Sequence, residues 1–462
     1  MLLHRSATLM TIALALSGLA GCATVDLPSL PDAVPAAWRD RPVLHAGAPA
    51  ADPALWWTGL KDPVLDDLVS QALRDNLSLA QAHSRLRQAA AVASGGDALY
   101  RPALSLSSRT LQDVSATDTY LHVGLDMVWE IGAFGAREAH QRAARADLDS
   151  ADTDARLARV NTVAGVVRTY AELRTASRQA ALFGDLAAVD GRSRDLLAVL
   201  ETQRLGTHGA VLEAAAQLAR TEAGQAPPEQ QRDRSAQGLA LLLGRTEPDP
   251  SWLQGAPAPV VPSFSLTRLP ADLLRQRPEI RHAEAGVLRA AGELGIARAD
   301  LYPKLSLGAS LLYAYNITKS IGTRTDHLPA IGPTIDIPLF DWGQRRAAAS
   351  AREEALQGSL LAYRQTVLEG VAETEQALAA LQATTARRDR LADALDLLRS
   401  REQAAIARRQ AGLSSELAVL GAHRDALLAE LDLSAAELDR TLSFVALFRS
   451  LGGAALPAEA TP

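Results

Sequence analysis

Two related stretches of sequence decide the fold: LYRPALSL at residues 99–106 and LYPKLSL at residues 301–307. Each stretch leads into a strand-like segment, and an aromatic-glycine pair later opens a long helical segment, at residues 134–135 in the first case and 342–343 in the second. Pro102 and Pro303 lie 201 residues apart, and Gly135 and Gly343 lie 208 residues apart. The chain therefore contains one pattern twice, and a repeat of this length takes precedence over local predictions.

The repeat predicts the domain organisation. We expect two copies of the same unit, each made of a helix, two strands and a very long helical hairpin, after an N-terminal segment that is removed. The removed segment is expected at residues 1–21. The first repeat is expected at 22–244, with strands at about 102–130 and a hairpin at about 135–244. The second repeat is expected at 245–462, with strands at about 303–340 and a hairpin at about 343–450.

The strand segments alternate apolar and polar residues, which is typical of a sheet with two different faces. In the first repeat one face carries Leu121, Val123, Leu125, Met127 and Trp129. A soluble sandwich would show the same alternation. A membrane barrel needs at least about eight strands, so several copies of the chain would have to share one barrel if these strands meet lipid.

The helical segments are free of proline over unusual lengths, from Pro102 to Pro227 and from Pro338 to Pro457. Such stretches leave room for helices far longer than the globular mean of about 11 residues. In the second repeat apolar residues recur at steps of 3 and 4, which predicts a coiled-coil seam; these are Leu356, Leu360, Tyr363, Val367, Val371, Thr374, Leu378 and Leu381. We expect Gly206 and Gly412 to end the first helix of each hairpin in the left-handed conformation.

The amino terminus has the layout of an export signal. A basic start at His4-Arg5 is followed by an apolar run and then by LAGC at residues 19–22, which resembles a bacterial lipobox. That resemblance implies removal of residues 1–21 and acylation of Cys22, and Ala23 favours the outer membrane over inner-membrane retention. The alternative is an ordinary secretory signal with an incidental cysteine.

Composition excludes several classes of function. The net charge is −6 and no basic cluster stands apart from acidic neighbours, so nucleic acid is excluded as a partner. The histidines lack metal-ligand spacing, and there is neither a phosphate-binding glycine loop nor a nucleophile elbow. We therefore expect no enzyme, no metal and no cofactor other than the covalent lipid on Cys22.

Several segments resemble one family. These are WW at 56–57, DPVLDDL at 62–68, LALLLG at 239–244, LPADLL at 269–274 and RPEI at 277–280. In this order they resemble the TolC-like outer membrane efflux proteins, in the NodT-type or OprM-like lipoprotein branch of resistance-nodulation-division efflux systems. The resemblance covers nearly all of the chain from residue 22 to residue 455.

The resemblance implies a mainly α fold with a small β part. Long helical hairpins would form a periplasmic tunnel, and four strands of each chain would contribute to a trimeric, twelve-stranded transmembrane barrel. The implied partners are two further copies of the chain, a periplasmic adaptor protein, an inner-membrane pump and outer-membrane lipid. The implied function is a passive exit duct for small molecules. Two alternatives remain, which are the duct of a type I protein secretion system and a lipid-anchored scaffold that spans the periplasm without conducting.

A gate is the remaining candidate site. Charge rings and apolar constrictions control passage through pores, so inward-facing residues at the narrow periplasmic end could regulate the duct. The candidates lie just beyond the turn at Gly412, and they are Glu416, Leu417, Leu420, Arg424 and Asp425. Gly421 occupies the place where relatives often carry an aspartate, which puts the usual aspartate ring in doubt. Packing for the leucines and an exposed charge for Arg424 are the alternative roles.

Overall fold

A computed structural model describes residues 54–112, 119–254, 257–262, 274–318, 321–322 and 328–453. The predicted signal segment and Cys22 lie outside these residues, as do parts of both predicted strand regions and residues 269–273 of the family-like segment. The helices are α1 (Pro63–Asp75), α2 (Leu77–Gly95), α3 (Ala136–Thr202), α4 (His208–Leu242), α5 (Pro278–Ala299), α6 (Gln344–Gln410) and α7 (Glu416–Ser450). The strands are β1 (Ala103–Gln112), β2 (Thr119–Glu130), β3 (Lys304–Asn316), β4 (Ile321–Gly322) and β5 (Leu328–Asp336).

The two helical hairpins match in length. Helices α3 and α6 each have 67 residues, and α4 and α7 each have 35 residues. At a rise of 1.5 Å per residue, the longer helices are about 100 Å long. Helix α4 continues through Pro227 and Pro228, although each proline removes a backbone donor from the helix. No helix among the described residues is both long and apolar enough to cross a bilayer.

The chain divides into two compact units. The first, as far as the structure describes it, comprises residues 84–153 and 281–366, and it contains the whole sheet. Its helical core includes Val287, Ala291 and Leu294 of α5 packed with Leu356 of α6. Gly292 allows the backbones of α5 and α3 to approach closely, since an added Cβ would lie 2.8 Å from the Ala143 nitrogen.

The sheet of this unit is antiparallel, with β1 beside β2, β2 beside β3, and both β4 and β5 paired to β3. Its register confirms the predicted division into two faces, because Leu106 lies opposite Leu125 and Leu125 lies opposite Leu311. The other face is polar. There, the Asp126 carboxylate accepts hydrogen bonds from Ser107 (3.2 Å) on β1 and from Ser310 (2.6 Å) on β3.

The second unit comprises residues 33–83, 154–280 and 367–462, again as far as they are described. Its main core gathers α1, α3, α4 and α7 around a group of aromatic rings. The Trp56 ring stacks on Phe448, with centroids 5.5 Å apart, and meets Phe444 edge-on. Trp57 is 5% exposed, so both tryptophans of the pair at 56–57 pack into this core.

The predicted seam of α6 is confirmed. Its eight residues from Leu356 to Leu381 are all buried or half-buried. Ion pairs between α7 and its neighbours repeat with the same coiled-coil periodicity, since Asp425 pairs with Arg401 and, fourteen residues further along α7, Asp439 pairs with Arg387. Fourteen residues are two heptads, the interval after which a coiled coil presents the same face again.

Candidate functional site

The hairpin tips are built by matching caps. At the second tip Gly412 has φ 73° and the Leu413 amide donates to the Arg408 carbonyl over 2.8 Å, which is a Schellman turn. Ser415 then caps the start of α7, because its hydroxyl accepts a hydrogen bond from the Ala418 amide (3.2 Å). The predicted left-handed glycine is thus confirmed at this tip.

The first tip differs from the prediction. Arg204, not Gly206, takes the left-handed conformation, with φ 57°. Gly206 has another role, because a Cβ at this position would lie 3.2 Å from the Glu201 nitrogen. Thr207 then caps α4, accepting from the Ala210 amide. The prediction for Gly206 was therefore wrong. In the first repeat, the position equivalent to Gly412 is Arg204, two residues before Gly206.

The structure places Arg424 against a buried carboxylate. Its Nε donates to Asp190 Oδ1 over 2.9 Å, and the hydroxyl of Thr221 donates to Asp190 Oδ2 over 2.6 Å. The side chains of Asp190 and Thr221 are almost fully buried, whereas that of Arg424 is 27% exposed. This cluster, which we call the Asp190 link, joins α3, α4 and α7 close to the tips.

Glu416 is also held between helices. Its carboxylate accepts from Arg192 Nε (2.9 Å) on α3 and from Arg409 Nη2 (2.7 Å) on α6. The hydrogen bond from Arg192 lowers the pKa of Glu416 below its ordinary value, and the positive charges of Arg192 and Arg409 act in the same direction. At neutral pH Glu416 is therefore an anion, and its ion pairs connect α3 of the first hairpin with α6 and α7 of the second.

The remaining gate candidates have simpler surroundings. Leu420 packs against a cluster on α3 and α7, formed by Leu182, Leu186, Val189 and Leu427. Asp425 accepts from Arg401 Nη1 over 2.8 Å at the exposed surface. Leu417 is half-buried, and Gly421 is exposed with open space where a side chain would extend. Within one copy of the chain, the five candidates thus lie together at the tip but have different roles.

Sequence reasoning missed Asp190. The residue lies in the segment LAAVDGR (186–192), where a single acidic residue follows an apolar run on a long helix. A carboxylate at such a position needs a partner if it is buried. The sequence could raise that question, but it could not identify Arg424, which is 234 residues away.

The apolar face of the sheet is a second candidate functional surface, besides the hairpin tip. Large side chains on this face are exposed on four strands, among them Leu106 (74%), Leu125 (38%), Leu311 (45%) and Ile331 (75%). An apolar area of this kind on a folded unit marks a surface that is covered by lipid or by another protein. Beyond β5, Leu339, Phe340 and Trp342 are also exposed.

Within the described ranges, no group of three or more His, Cys, Asp or Glu side chains is placed to hold a metal ion. The titratable residues of the hairpins instead form ion pairs between helices, as at Glu416 and Asp425. The charged residues of the tip therefore connect neighbouring helices through ion pairs.

Comparison with known proteins agrees with this architecture. The family model described as "Outer membrane efflux protein" matches residues 68–245 and 269–453. The chain is 31% identical to the pyoverdine export outer membrane protein OpmQ of Pseudomonas aeruginosa over an alignment of 379 residues, which covers 75% of this chain and 75% of OpmQ. It is 28% identical to nodulation protein T of Rhizobium leguminosarum bv. viciae over 335 residues, covering 71% of this chain and 69% of that protein.

A solved structure is similar over almost the whole chain. The outer-membrane channel OprN superposes with a TM-score of 0.80 at 28% sequence identity, covering 94% of this chain and 99% of OprN. The similarity includes both the long hairpins and the sheet, because nearly every residue of the chain falls within the matched part. The chain therefore belongs to the outer membrane efflux protein family, in agreement with the resemblance of its sequence.

Proposed function

We propose that this protein is the outer-membrane duct of a tripartite efflux system, through which small molecules leave the cell passively while an inner-membrane pump supplies the energy. The observation that carries this proposal is the duplicated fold. Two hairpins with helices of 67 and 35 residues accompany a sheet whose apolar face is exposed. Membership of the outer membrane efflux protein family supports the same function.

The proposal includes the assembly. Four main strands from each of three copies would close one barrel, and the hairpins of the three copies would form the tunnel below it. A periplasmic adaptor would connect the tunnel to the pump. A single copy has too few strands for a membrane barrel, for which about eight is the minimum, so conduction requires several copies.

We further propose that lipid on Cys22 anchors the protein. Two or three acyl chains give stable membrane attachment, since each buried methylene contributes about 0.8 kcal/mol. Cells that express Cys22→Ala would incorporate no labelled palmitate into the protein. Equal labelling of the variant and the wild type would contradict the assignment.

The efflux function is tested in a deletion strain. We expect the strain to retain more of the exported compound than its parent, and a plasmid copy of the gene to restore export. The strain must keep its pump and adaptor and have no second duct. Unchanged retention and tolerance under those conditions would contradict the proposal, and loss of a secreted protein would favour the type I secretion alternative.

The gate is tested by conductance. We propose that the Asp190 link holds the tip closed, because it is the most buried charged contact among the candidates. In planar bilayers Arg424→Ala would then conduct more than the wild type. Arg387→Ala removes an exposed ion pair with Asp439 on the same hairpin and serves as the matched control. Equal conductance of the wild type and both variants would contradict a gating role.

A further inference from the structure

At one edge of the sheet the chain passes between strands and long helices. Strands β1 and β3 begin at this edge and β2 and β5 end there, and its residue pairs are Ala103 with Val128, Glu130 with Ser306, and Lys304 with Asp336. Helices α3 and α6 follow β2 and β5 in the chain. The four main strands have 9 to 13 residues, and a strand of about 9–11 residues crosses a bilayer. In the proposed duct, this edge therefore lies at the periplasmic surface of the outer membrane.

The two repeats present different side chains at this edge. The offset of 208 residues that relates Gly135 to Gly343 also relates their neighbours, and the second repeat has Phe340 for Gly132, Trp342 for Phe134 and Arg346 for Glu138. The backbone is alike, since Phe134 and Trp342 both have φ 57°. The second repeat thus has larger aromatic side chains and a further cation on the same local backbone, so the difference lies in what the edge offers to its surroundings.

The aromatic rings of the second repeat are uncovered. In the first repeat Phe134 stacks on Tyr302, with ring centroids 5.1 Å apart. Trp342, by contrast, is 90% exposed and Phe340 is 75% exposed. These two rings meet edge-on, with centroids 4.8 Å apart. Exposed tryptophan and tyrosine side chains are enriched where a membrane protein meets the lipid headgroups. Both the place of these rings at the end of the strands and their chemistry therefore point to the headgroup region.

A pocket of about 480 Å³ lies at this edge, and we call it the Arg346 pocket. Its lining combines apolar side chains with two arginines, and it includes Leu301, Tyr302, Leu339, Phe340, Arg345 and Arg346. The volume falls within the range of small-molecule sites, which is about 300–1,000 Å³. A phospholipid has the same combination of properties, because a charged phosphate adjoins its apolar chains.

The charges of the Arg346 pocket favour an anion. The carboxylate of Asp341, which also lines it, accepts from the amides of Gly343 (3.0 Å) and Arg345 (3.1 Å). The same carboxylate lies 3.8 Å from Arg345 Nε. Arg346 forms no ion pair with any residue that the structure describes. One guanidinium is therefore available, and its planar group of donors suits the oxygens of a phosphate.

We propose that the Arg346 pocket binds a phospholipid of the inner leaflet of the outer membrane. Arg346 would donate to the phosphate, and Leu339 and Phe340 would cover the first part of an acyl chain. This inference rests on the proposed duct, which places the edge at the membrane surface. An anionic phospholipid such as phosphatidylglycerol fits best, because the lining has two arginines and one aspartate.

Lipid titration of the full-length protein tests the site. The protein is purified in detergent and freed of bound lipid, phosphatidylglycerol is added, and native mass spectrometry measures the bound fraction. The test variant is Arg346→Gln and the matched control is Arg87→Gln. Arg87 is an exposed residue of α2 in the same compact unit, it does not line the pocket, and it likewise forms no ion pair with the described residues. The two variants therefore change the net charge equally.

We expect Arg346→Gln to bind phosphatidylglycerol about fivefold more weakly than the wild type, which is the contribution of one basic residue beside an anionic lipid. Arg87→Gln should bind as tightly as the wild type. Equal affinities of all three proteins would overturn the site. Equal weakening in both variants would also overturn it, because that result reflects a general attraction between charges. Displacement of the lipid by an equal concentration of inorganic phosphate would show that the pocket takes the anion alone, against the proposal.

The same spectra separate this inference from the proposed duct. Wild-type protein with the mass of three copies that binds no phosphatidylglycerol would overturn the lipid site alone, and would indicate that a neighbouring copy covers the pocket. Protein with the mass of one copy would contradict the duct and, with it, the placement of this edge at the membrane surface. Protein with the mass of three copies whose lipid binding is weakened only by Arg346→Gln would support both.

Discussion

Asp190 is a buried carboxylate whose stability depends on Arg424 and Thr221. Arg424→Ala would leave this charge with a single hydroxyl donor, and we expect a loss of about 2 kcal/mol in the free energy of unfolding. Arg401→Ala removes an exposed pair with Asp425, which costs less than about 1 kcal/mol. Urea unfolding followed by helical circular dichroism measures both. Equal losses for the two variants would show that the Asp190 link has no special importance.

Glu416 makes the tip sensitive to acid. Because its pKa is lowered in the folded protein, the stability it contributes is complete above the ordinary carboxyl value of 4.5 and is lost as the pH falls through the lowered value. Between about pH 6 and about pH 3, the melting temperature of the wild type should therefore fall more steeply than that of Glu416→Gln.

The control for this pH dependence is Glu213→Gln. Glu213 is 75% exposed, and its nearest ion-pair distance is 3.8 Å, to Arg220. This variant should follow the wild-type pH profile, since an exposed pair of this kind contributes little. Parallel pH profiles for wild type and Glu416→Gln would contradict the stabilising role of the Arg192 and Arg409 pairs.

At the scale of single elements, the two hairpins can be compared directly. Arg204 and Gly412 occupy equivalent left-handed positions, although only glycine adopts this conformation without steric cost. We expect Arg204→Gly to stabilise the first tip, and Gly412→Ala to destabilise the second, each by about 1 kcal/mol. Thermal unfolding of the two single variants measures these shifts. Destabilisation by Arg204→Gly would show that the arginine side chain contributes more than its backbone strain costs.

Much of the element structure could be predicted from the sequence. The alternation of apolar and polar residues in β2 and the 3–4 spacing of apolar residues in α6 indicate which side of each element packs against a neighbour. Both predictions are confirmed. Prolines were less informative, because α4 continues through Pro227 and Pro228. Local rules indicate that such residues weaken a helix, but tertiary packing decides whether it ends there.

The site was less predictable than the elements. Arg424 could be selected from its place near Gly412, but its partner Asp190 lies on another hairpin, and sequence spacing contains no information on contacts between distant helices. Glu416 similarly depends on Arg192 and Arg409, which belong to two different helices. The gate therefore stays a prediction, because the residues that line a pore are defined only when several copies are together.

At the scale of the whole molecule, duplication explains the fold and is the basis of the proposed assembly. One strand-and-hairpin repeat occurs twice in the chain, and the β2–β3 pairing joins the strands of the two repeats in one sheet. The apolar face of the sheet fits this arrangement, since Leu106 and Ile331 are far too exposed for a chain whose sheet meets only water. We expect the selectivity of the proposed duct to be set by the tip and by the pump.

The most direct test of the central claim is the mass of the native protein extracted in detergent, measured by light scattering with the detergent contribution subtracted. The account predicts the mass of three copies, because a single copy has too few strands to close a barrel. A mass of one copy, in protein that keeps its helical circular dichroism spectrum, would contradict the shared barrel and with it the duct.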